Sequence, residues 1–514
     1  MRRRVWCWCM GLLLCGVLAS SAYAKGSKPV ITGPVASPSS VASGGSTTVS
    51  ASVSGATTCK LSANKTVGGL PATFSCESGS VSYEVVMPQN AGKKAGKYIL
   101  TLEATGAGGR AKAKLPVEVG TATAASITTD GTDTCAVLTT GHIKCWGGNT
   151  SGEVGDGKSS PNVGKAQWVP AEVTGISEAK EVETGGTHAC ALLETGHVEC
   201  WGGEANGSLG NGVAEGPKVC AKNRFPCSLT PVEVTGITSA VQLGGQASCA
   251  LLSSGHVECW GSNLSGALGN GISGSELAYS DVPVEVVGIA DATQVSQGST
   301  CAMLSSGHVE CWGSNYSGRL GHGIGDAELA YSDVPVEALG ISDGAQLAGT
   351  CALLSSGHVD CWGENTRGLL GDGTDTGPEQ CGTKGQVACS TAPVEVLGIT
   401  EATQVAQQAE LAGEGSACAL LSSGHVECWG PNADGQLGDG ERETGPSLTP
   451  VQVIGLEDAT QISASRGTAC ALLASGHIKC WGEGRSGQLG VPERTLESFG
   501  DFGRTGTPIE VAGI

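Results

Sequence analysis

Beyond its first 24 residues the chain has no apolar run approaching the roughly 18 residues that a membrane-spanning helix needs. Membrane insertion is therefore not expected. Basic residues are scarce: 29 lysines and arginines stand against 49 aspartates and glutamates, for a formal net charge of −20. Such an acidic chain is repelled by nucleic acid and by anionic lipid, so neither is expected as a partner. Helix-forming runs are few, and aromatic residues make up only 4% of the chain. There is no Gly-rich phosphate loop, no catalytic triad and no carboxylate pair in a supporting context. The expectation is a protein without catalytic residues or a cofactor.

Glycine, in contrast, is abundant at 82 residues, and valine, threonine and serine are frequent. That composition favours short strands joined by tight turns, an all-β chain. The first 24 residues, "MRRRVWCWCMGLLLCGVLASSAYA", combine three arginines, an apolar stretch and a small-residue ending at Ala24. They read as a secretory signal peptide, residues 1–24. Lipidation at Cys15 is disfavoured, because Leu14 is not the small residue that such a site needs. Removing 24 of 514 residues leaves 490, and the loss of three arginines moves the net charge from −20 to −23. The expected location is outside the cytoplasm: extracellular, at the cell surface or periplasmic.

Of 23 cysteines, Cys7, Cys9 and Cys15 belong to that leader, and 20 remain. An even number in an exported chain predicts ten disulfides. One pair, Cys59 and Cys76, lies in a segment covering residues 28–119, where "STTVSASV", "VSYEVVM", "KYILTLEAT" and "AKAKLPVEV" alternate like strands. This segment reads as an immunoglobulin-like β-sandwich, although it lacks tryptophan and so lacks the immunoglobulin Cys-Trp-Cys signature.

From residue 121 to 514 the chain repeats. Gly-His-x-x-Cys-Trp-Gly occurs seven times, with histidines at 142, 197, 256, 308, 358, 425 and 477. The spacing of about fifty residues belongs to propellers or solenoids. Each unit reads as four short strands: one like "ATQV", then "CALL", the turn "SSG", "HVECWG", a Gly-rich loop such as "SNLSGALGNG", and "PVEV". Four strands make one propeller blade, and seven copies predict a seven-bladed β-propeller.

If "CALL-SSG-HVEC" is a hairpin with a three-residue loop, its glycine takes the left-handed turn position. Counting outward from the pair Leu252 and His256 places Cys249 opposite Cys259, at a non-hydrogen-bonded position where side chains approach most closely. The same count pairs Cys135 with Cys145, Cys190 with Cys200, Cys301 with Cys311, Cys351 with Cys361, Cys418 with Cys428 and Cys470 with Cys480. Zinc is the competing use of His142 and Cys145, but one histidine and two cysteines per unit do not complete a four-ligand site, so no metal is expected. Thiol redox chemistry favours Cys-x-x-Cys, which this spacing is not. Seven of the ten tryptophans follow the second cysteine of a unit, where packing between sheets is the simplest role.

Taken together, "CALLSSGHVECWG", "NLSGALGNG" and "PVEV" at this period resemble the regulator of chromosome condensation repeat family. The resemblance implies a seven-bladed β-propeller over roughly residues 121–514. It also implies that blades need not coincide with sequence units, so the strand near Pro508 could pair with strands of the first unit. The guanine-nucleotide exchange activity of the family's founding member is not carried over, because an export leader separates this chain from a nuclear GTPase. The secreted propeller-type inhibitor of β-lactamases looks like a closer analogy, as a fold used purely to bind protein.

Recognition then falls to the loops. From the motif tryptophan to the proline of the last strand the units span 24, 30, 23, 23, 31, 21 and 27 residues, so the length variation lies in one connection and on one face. The two longest loops carry extra cysteine pairs, Cys220 with Cys227 and Cys381 with Cys389. Phe225, Tyr279, Tyr331, Phe499 and Phe502 lie in these connections and are the candidate anchors for a partner. "LGDGTDTG" near Asp372 is rich in oxygen but lacks a full calcium ligand run. The expected function is binding of another protein through one propeller face; a carbohydrate or cell-wall glycan is the alternative ligand.

Overall fold

The computed structural model describes residues 26–41, 43, 45–88, 90, 95–120, 122–160, 166–213, 218–220, 225–245, 248–382, 387–407, 415–442, 445–497 and 503–514. The leader sequence lies outside them. Among the described residues helix is nearly absent: Glu493–Glu497 is the one α-helical turn, five residues long, beside 38 strands. No helix among the described residues is long and apolar enough to cross a membrane.

The chain divides into two compact units, one reaching to Val119 and the other holding Gly120–Ile514. In the first, a three-stranded sheet of Val30–Ser37, Ser46–Ser54 and Ser80–Val86 shares a core with a five-stranded sheet. Alternation explains the layering. Thr47, Val49, Ala51 and Val53 of one strand are buried while their neighbours face outward. They join Leu61, Leu102 and Val117 of the other sheet, with the buried Cys59–Cys76 disulfide among them.

The second unit contains seven antiparallel sheets among the described residues, one for each sequence repeat. The third shows the pattern: Ala240–Gly244, Cys249–Leu252, Val257–Ser262 and Tyr279–Glu285 pair in chain order. The second and fifth sheets gain an extra strand, Lys218–Cys220 and Glu379–Cys381, where the long loops carry their added disulfides. The C-terminal strand Thr505–Glu510 pairs with Ile478–Gly482 of its own repeat. The alternative implied by the family resemblance, pairing with the first unit, is thereby corrected: the "PIEV" strand follows its own "IKCWG" strand closely enough to complete the seventh sheet locally.

The hairpin geometry is the same throughout. In the third sheet Leu252 N–H donates to His256 O at 2.9 Å, Gly255 takes φ +87°, and Cys249 faces Cys259. The seven cross-strand disulfides have Cα separations of 4.0 or 4.1 Å, the close approach of a non-hydrogen-bonded pair. Besides Pro226 in the second sheet, each closing strand carries a proline, such as Pro283, within a bulge opposite the motif tryptophan. A proline there removes a backbone donor where the ladder is already interrupted, at the sheet margin.

Two recurrent hydrogen bonds join successive sheets. The buried tryptophan of one sheet donates its indole N–H to a loop carbonyl of the sheet before: Trp201 to Glu153, Trp260 to Ser208, Trp312 to Ala267, Trp362 to Arg319, Trp429 to Leu369 and Trp481 to Gln436, at 2.7 to 3.0 Å. Trp146 of the first sheet donates to Gln488 of the seventh repeat at 2.8 Å. In the opening strands, Gln242, Gln294, Gln346, Gln404 and Gln461 each accept a backbone N–H from the next sheet, the last from Ile127 of the first. Glu181 does the same for Leu243 at 3.3 Å.

Candidate functional site

Because each sheet runs up and down in chain order, the Gly-His turns emerge at one end of the sheets. The turns after the opening strands and the variable connections after the tryptophans emerge together at the other. A cavity of about 710 Å³ opens at this second end, lined by Asp130, His188, Ser248, Leu264, Ser299 and Arg319 among others. Sequence reading passed over His188, which lies outside the repeated motif.

The cavity's polar groups serve structure first. Asp130 is buried and accepts Thr132 N–H at 2.8 Å, Asp133 N–H at 2.9 Å and, across to the second sheet, Gly186 N–H at 2.8 Å. Its oxygens tie two turns together. Ser248 Oγ lies 3.3 Å from His188 Nε2, at the long end of a hydrogen bond. Deeper, Glu183 accepts from Gln297 of the fourth sheet and from Thr128 of the first. Burial, then the neighbouring Glu181 charge, pushes its carboxyl well above the usual carboxylate range. Burial alone lifts Glu181 to about 7. Burial thus favours the protonated form of both carboxyls among the opening strands.

Five of the seven loops after the tryptophans carry an asparagine at the same place, Asn149, Asn263, Asn315, Asn365 and Asn432. Asn263 Oδ1 accepts Leu268 N–H at 3.1 Å while its amide donates to the carbonyls of Ile272 and Leu277 at 2.8 and 2.9 Å. Asn315 repeats this with Leu320, Ile324 and Leu329. The residue after each Leu-Gly-x-Gly is thereby held outward, which leaves Ile272 and Ile324 exposed. Asp372, in the oxygen-rich fifth loop, is engaged by Thr374 N–H and Thr374 Oγ1, both at 3.0 Å. Among the described residues no group of three or more histidine, cysteine or acidic side chains is arranged to hold a metal.

Of the candidate anchors, Tyr279 and Tyr331 are 39% and 40% exposed and open the closing strands of the third and fourth sheets, opposite Ser262 and Ser314. Phe225 begins a strand, but its side chain lies outside the described residues, as do Phe499 and Phe502 altogether. The structure adds exposed aliphatic residues that a search for aromatics overlooked: Val213, Val219, Leu264 at 71%, Ile272 and Ile324. All belong to the connections of sheets two to four. Their sequence signal is the position after Leu-Gly-x-Gly, except for Val219 and Leu264. At the opposite end, the motif histidines pair with the glutamate of "PVE": His142 with Glu172, His197 with Glu233, His308 with Glu337 and His358 with Glu395, at 2.8 or 2.9 Å. Half-exposed pairs of this kind contribute about 0 to 1 kcal/mol each. The sixth repeat has Gln452 in that place, and His425 turns to Ser423 Oγ at 3.0 Å instead.

Two patterns described as Regulator of chromosome condensation (RCC1) repeat match residues 423–472 and 459–488. The mitochondrial RCC1 domain-containing protein RUG3 of Arabidopsis thaliana is 31% identical over 207 residues, 38% of this chain and 43% of that protein. The human E3 ubiquitin-protein ligase HERC2 is 31% identical over 37% of this chain and 4% of its own length, so the chain spans less than half of each of these relatives. The ultraviolet-B receptor UVR8 of Arabidopsis thaliana is 28% identical over 65% of this chain and 85% of that protein. Yeast RCC1 (Prp20), solved bound to Kap60, superposes with TM-score 0.55 at 20% identity, covering 72% of this chain and 83% of that one. Human WBSCR16 superposes with TM-score 0.57 at 19% identity, covering 72% and 94%. Regulator of chromosome condensation repeat sequence is thus matched over residues 423–488, and the all-β fold is like that of the solved RCC1-type structures over 72% of the chain.

Proposed function

We propose that the protein is an exported, non-enzymatic binding protein, an immunoglobulin-like sandwich followed by a disulfide-stapled seven-bladed propeller. It recognises another protein through the loops at the end of the sheets where the cavity opens. One observation carries the reading: among the described residues, the loops after the tryptophans on sheets two to four expose Val213, Val219, Leu264, Ile272 and Ile324, and Leu264 lines the cavity. Apolar surface gathered at loops of a rigid scaffold marks an interaction site. Ten disulfides suit an oxidising compartment. A yeast relative of this fold was solved with attention to its binding of Gsp1p and histones, a precedent for protein partners on such a scaffold.

The test is site-specific photocrosslinking on the exported protein, with the crosslinker at Tyr331 or, as control, at Ser306 in a Gly-His turn. Discrete protein adducts at Tyr331 that persist in excess free glycan, with none at Ser306, are the expected result. Adducts from both ends, or from neither, overturn the assignment of the face. Loss of the adducts on adding glycan favours the carbohydrate alternative.

A further inference from the structure

The position that follows Leu-Gly-x-Gly, or its counterpart in the first and seventh repeats, is exposed throughout: Lys158, Val213, Ile272, Ile324, Thr374, Glu441 and Glu493. Since every one is exposed, core packing does not demand an apolar side chain there. Yet sheets two, three and four carry valine or isoleucine, while the other four carry a charged or polar residue.

These three positions form one continuous surface. Gly212 N–H, beside Val213, donates to Asp281 O at 2.8 Å, two residues from Tyr279. Gly271 N–H, beside Ile272, donates to Asp333 O at 2.9 Å, two residues from Tyr331. The loop of each sheet is thus fastened to the closing strand of the next, so that Val213, Tyr279, Ile272, Tyr331 and Ile324 follow one another along an arc. The glycines permit this closeness: a Cβ at Gly266 would lie 2.7 Å from Asp333 Cα. The isoleucine and tyrosine pattern ends at the fifth sheet, where Thr374 and Cys389 stand in their places, while exposed Leu397 and Ile454 lie beside Gly373 and Gly440 of the fifth and sixth sheets. Glu276 and Glu328 are exposed along it, and Asp281 and Asp333 are partly exposed, while Arg319 lines the cavity.

We infer that this arc is a docking surface with two equivalent subsites, Ile272 with Tyr279 and Ile324 with Tyr331, one sheet apart. The occupant is a segment of a protein partner that carries large apolar side chains flanked by lysine or arginine. Apolar contact supplies the affinity, and the bordering carboxylates of an already acidic chain select for a cationic flank. This inference rests on the binding face proposed above and names the chemistry of the partner.

The test uses the full exported chain and two fluorescent peptides of about 14 residues, the length of a typical docking segment, with the same leucine and tyrosine positions, one filled with lysine and the other with glutamate. The lysine peptide is expected to bind at least about tenfold more tightly. The double variant Ile272→Thr/Ile324→Thr, which copies the native Thr374, is expected to weaken that binding at least about tenfold with an unchanged melting curve. Glu258→Gln/Glu310→Gln, near the Gly-His end, is expected to leave it within about twofold. Equal binding of both peptides, no effect of the arc variant, or an equal effect of the control variant overturns the inference. Crosslinked protein at Tyr331 alongside any of those results leaves the binding face standing and removes only the partner chemistry.

Discussion

The indole N–H of Trp146 donates to the carbonyl of Gln488 at 2.8 Å, joining residues 342 positions apart. Six other tryptophans make the same bond one repeat backward along the chain, whereas this one links the first sheet to the last repeat. Replacing Trp146 with phenylalanine keeps an apolar ring but removes one of the two donors to the buried Gln488 carbonyl, which then keeps only Thr134 Oγ1 at 3.0 Å. A loss of about 2 to 4 kcal/mol in unfolding free energy is expected from the missing bond and the lost volume. Chemical denaturation of the single variant measures it, and an unchanged midpoint refutes the role of this bond.

The glycine that follows in the loop is constrained twice. Gly490 has φ +69°, and a Cβ there would lie 2.8 Å from Trp146 Nε1 and 2.7 Å from Val511. Gly288 has φ +82° with open space around its Cβ direction. Both glycine-to-alanine changes incur the left-handed backbone cost of roughly 1 to 2 kcal/mol. Gly490→Ala adds a clash with the ring, worth about 1 to 3 kcal/mol more. Thermal melts of the two variants should therefore separate clearly, with Gly490→Ala the lower.

Each hairpin staple acts on the unfolded chain. Cys301 and Cys311 are ten residues apart, and closing so short a loop stabilises by about 2.8 kcal/mol in the chain-entropy treatment. The double variant Cys301→Ala/Cys311→Ala should lower the denaturant midpoint accordingly while leaving the strand signal intact, because the backbone ladder around it remains. Thiol titration of the unfolded, unreduced exported protein is expected to find no free cysteine.

The hairpin was legible in the sequence because its information is local: a glycine ending a three-residue loop and a cysteine four residues beyond each edge of that loop fix the register. The tryptophan was legible as buried, but its partner was not, since that carbonyl lies 43 to 60 residues earlier in six cases and at the far end of the chain in the seventh. Nothing periodic in the sequence states which repeat neighbours which. The exposed arc was missed for a different reason. Ile272 and Ile324 look like core residues in a hydropathy reading, and only the asparagine-held loop shows that they face outward. Phe225 was singled out for its aromatic ring, whereas the described surface is mainly aliphatic.

The second sheet departs from its neighbours by carrying carboxyls where they carry amides. Glu181 stands in the place of Gln242, Gln294, Gln346 and Gln404, and Glu204 in that of Asn263, Asn315 and Asn365. Glu204 is fully buried; its Oε1 accepts Leu209 N–H at 3.4 Å, as the asparagine oxygen does for its leucine elsewhere, and Oε2 has no partner among the described residues. Burial, then the charge of Asp281, lifts the Glu204 carboxyl to about 7, and burial does the same for Glu181. Protonated, each acid offers both an acceptor and a donor, as the amides do. The folded values lie above the roughly 4.3 of an unfolded glutamate. Their contribution to stability is therefore complete below that pH and lost as pH rises through about 7. Glu181→Gln/Glu204→Gln removes both titrations while keeping the shape. The melting temperature of the native protein should fall relative to this variant between about pH 5 and pH 8, the interval these shifts span. Parallel pH profiles for the two proteins would show that these carboxyls are ionised in the folded state.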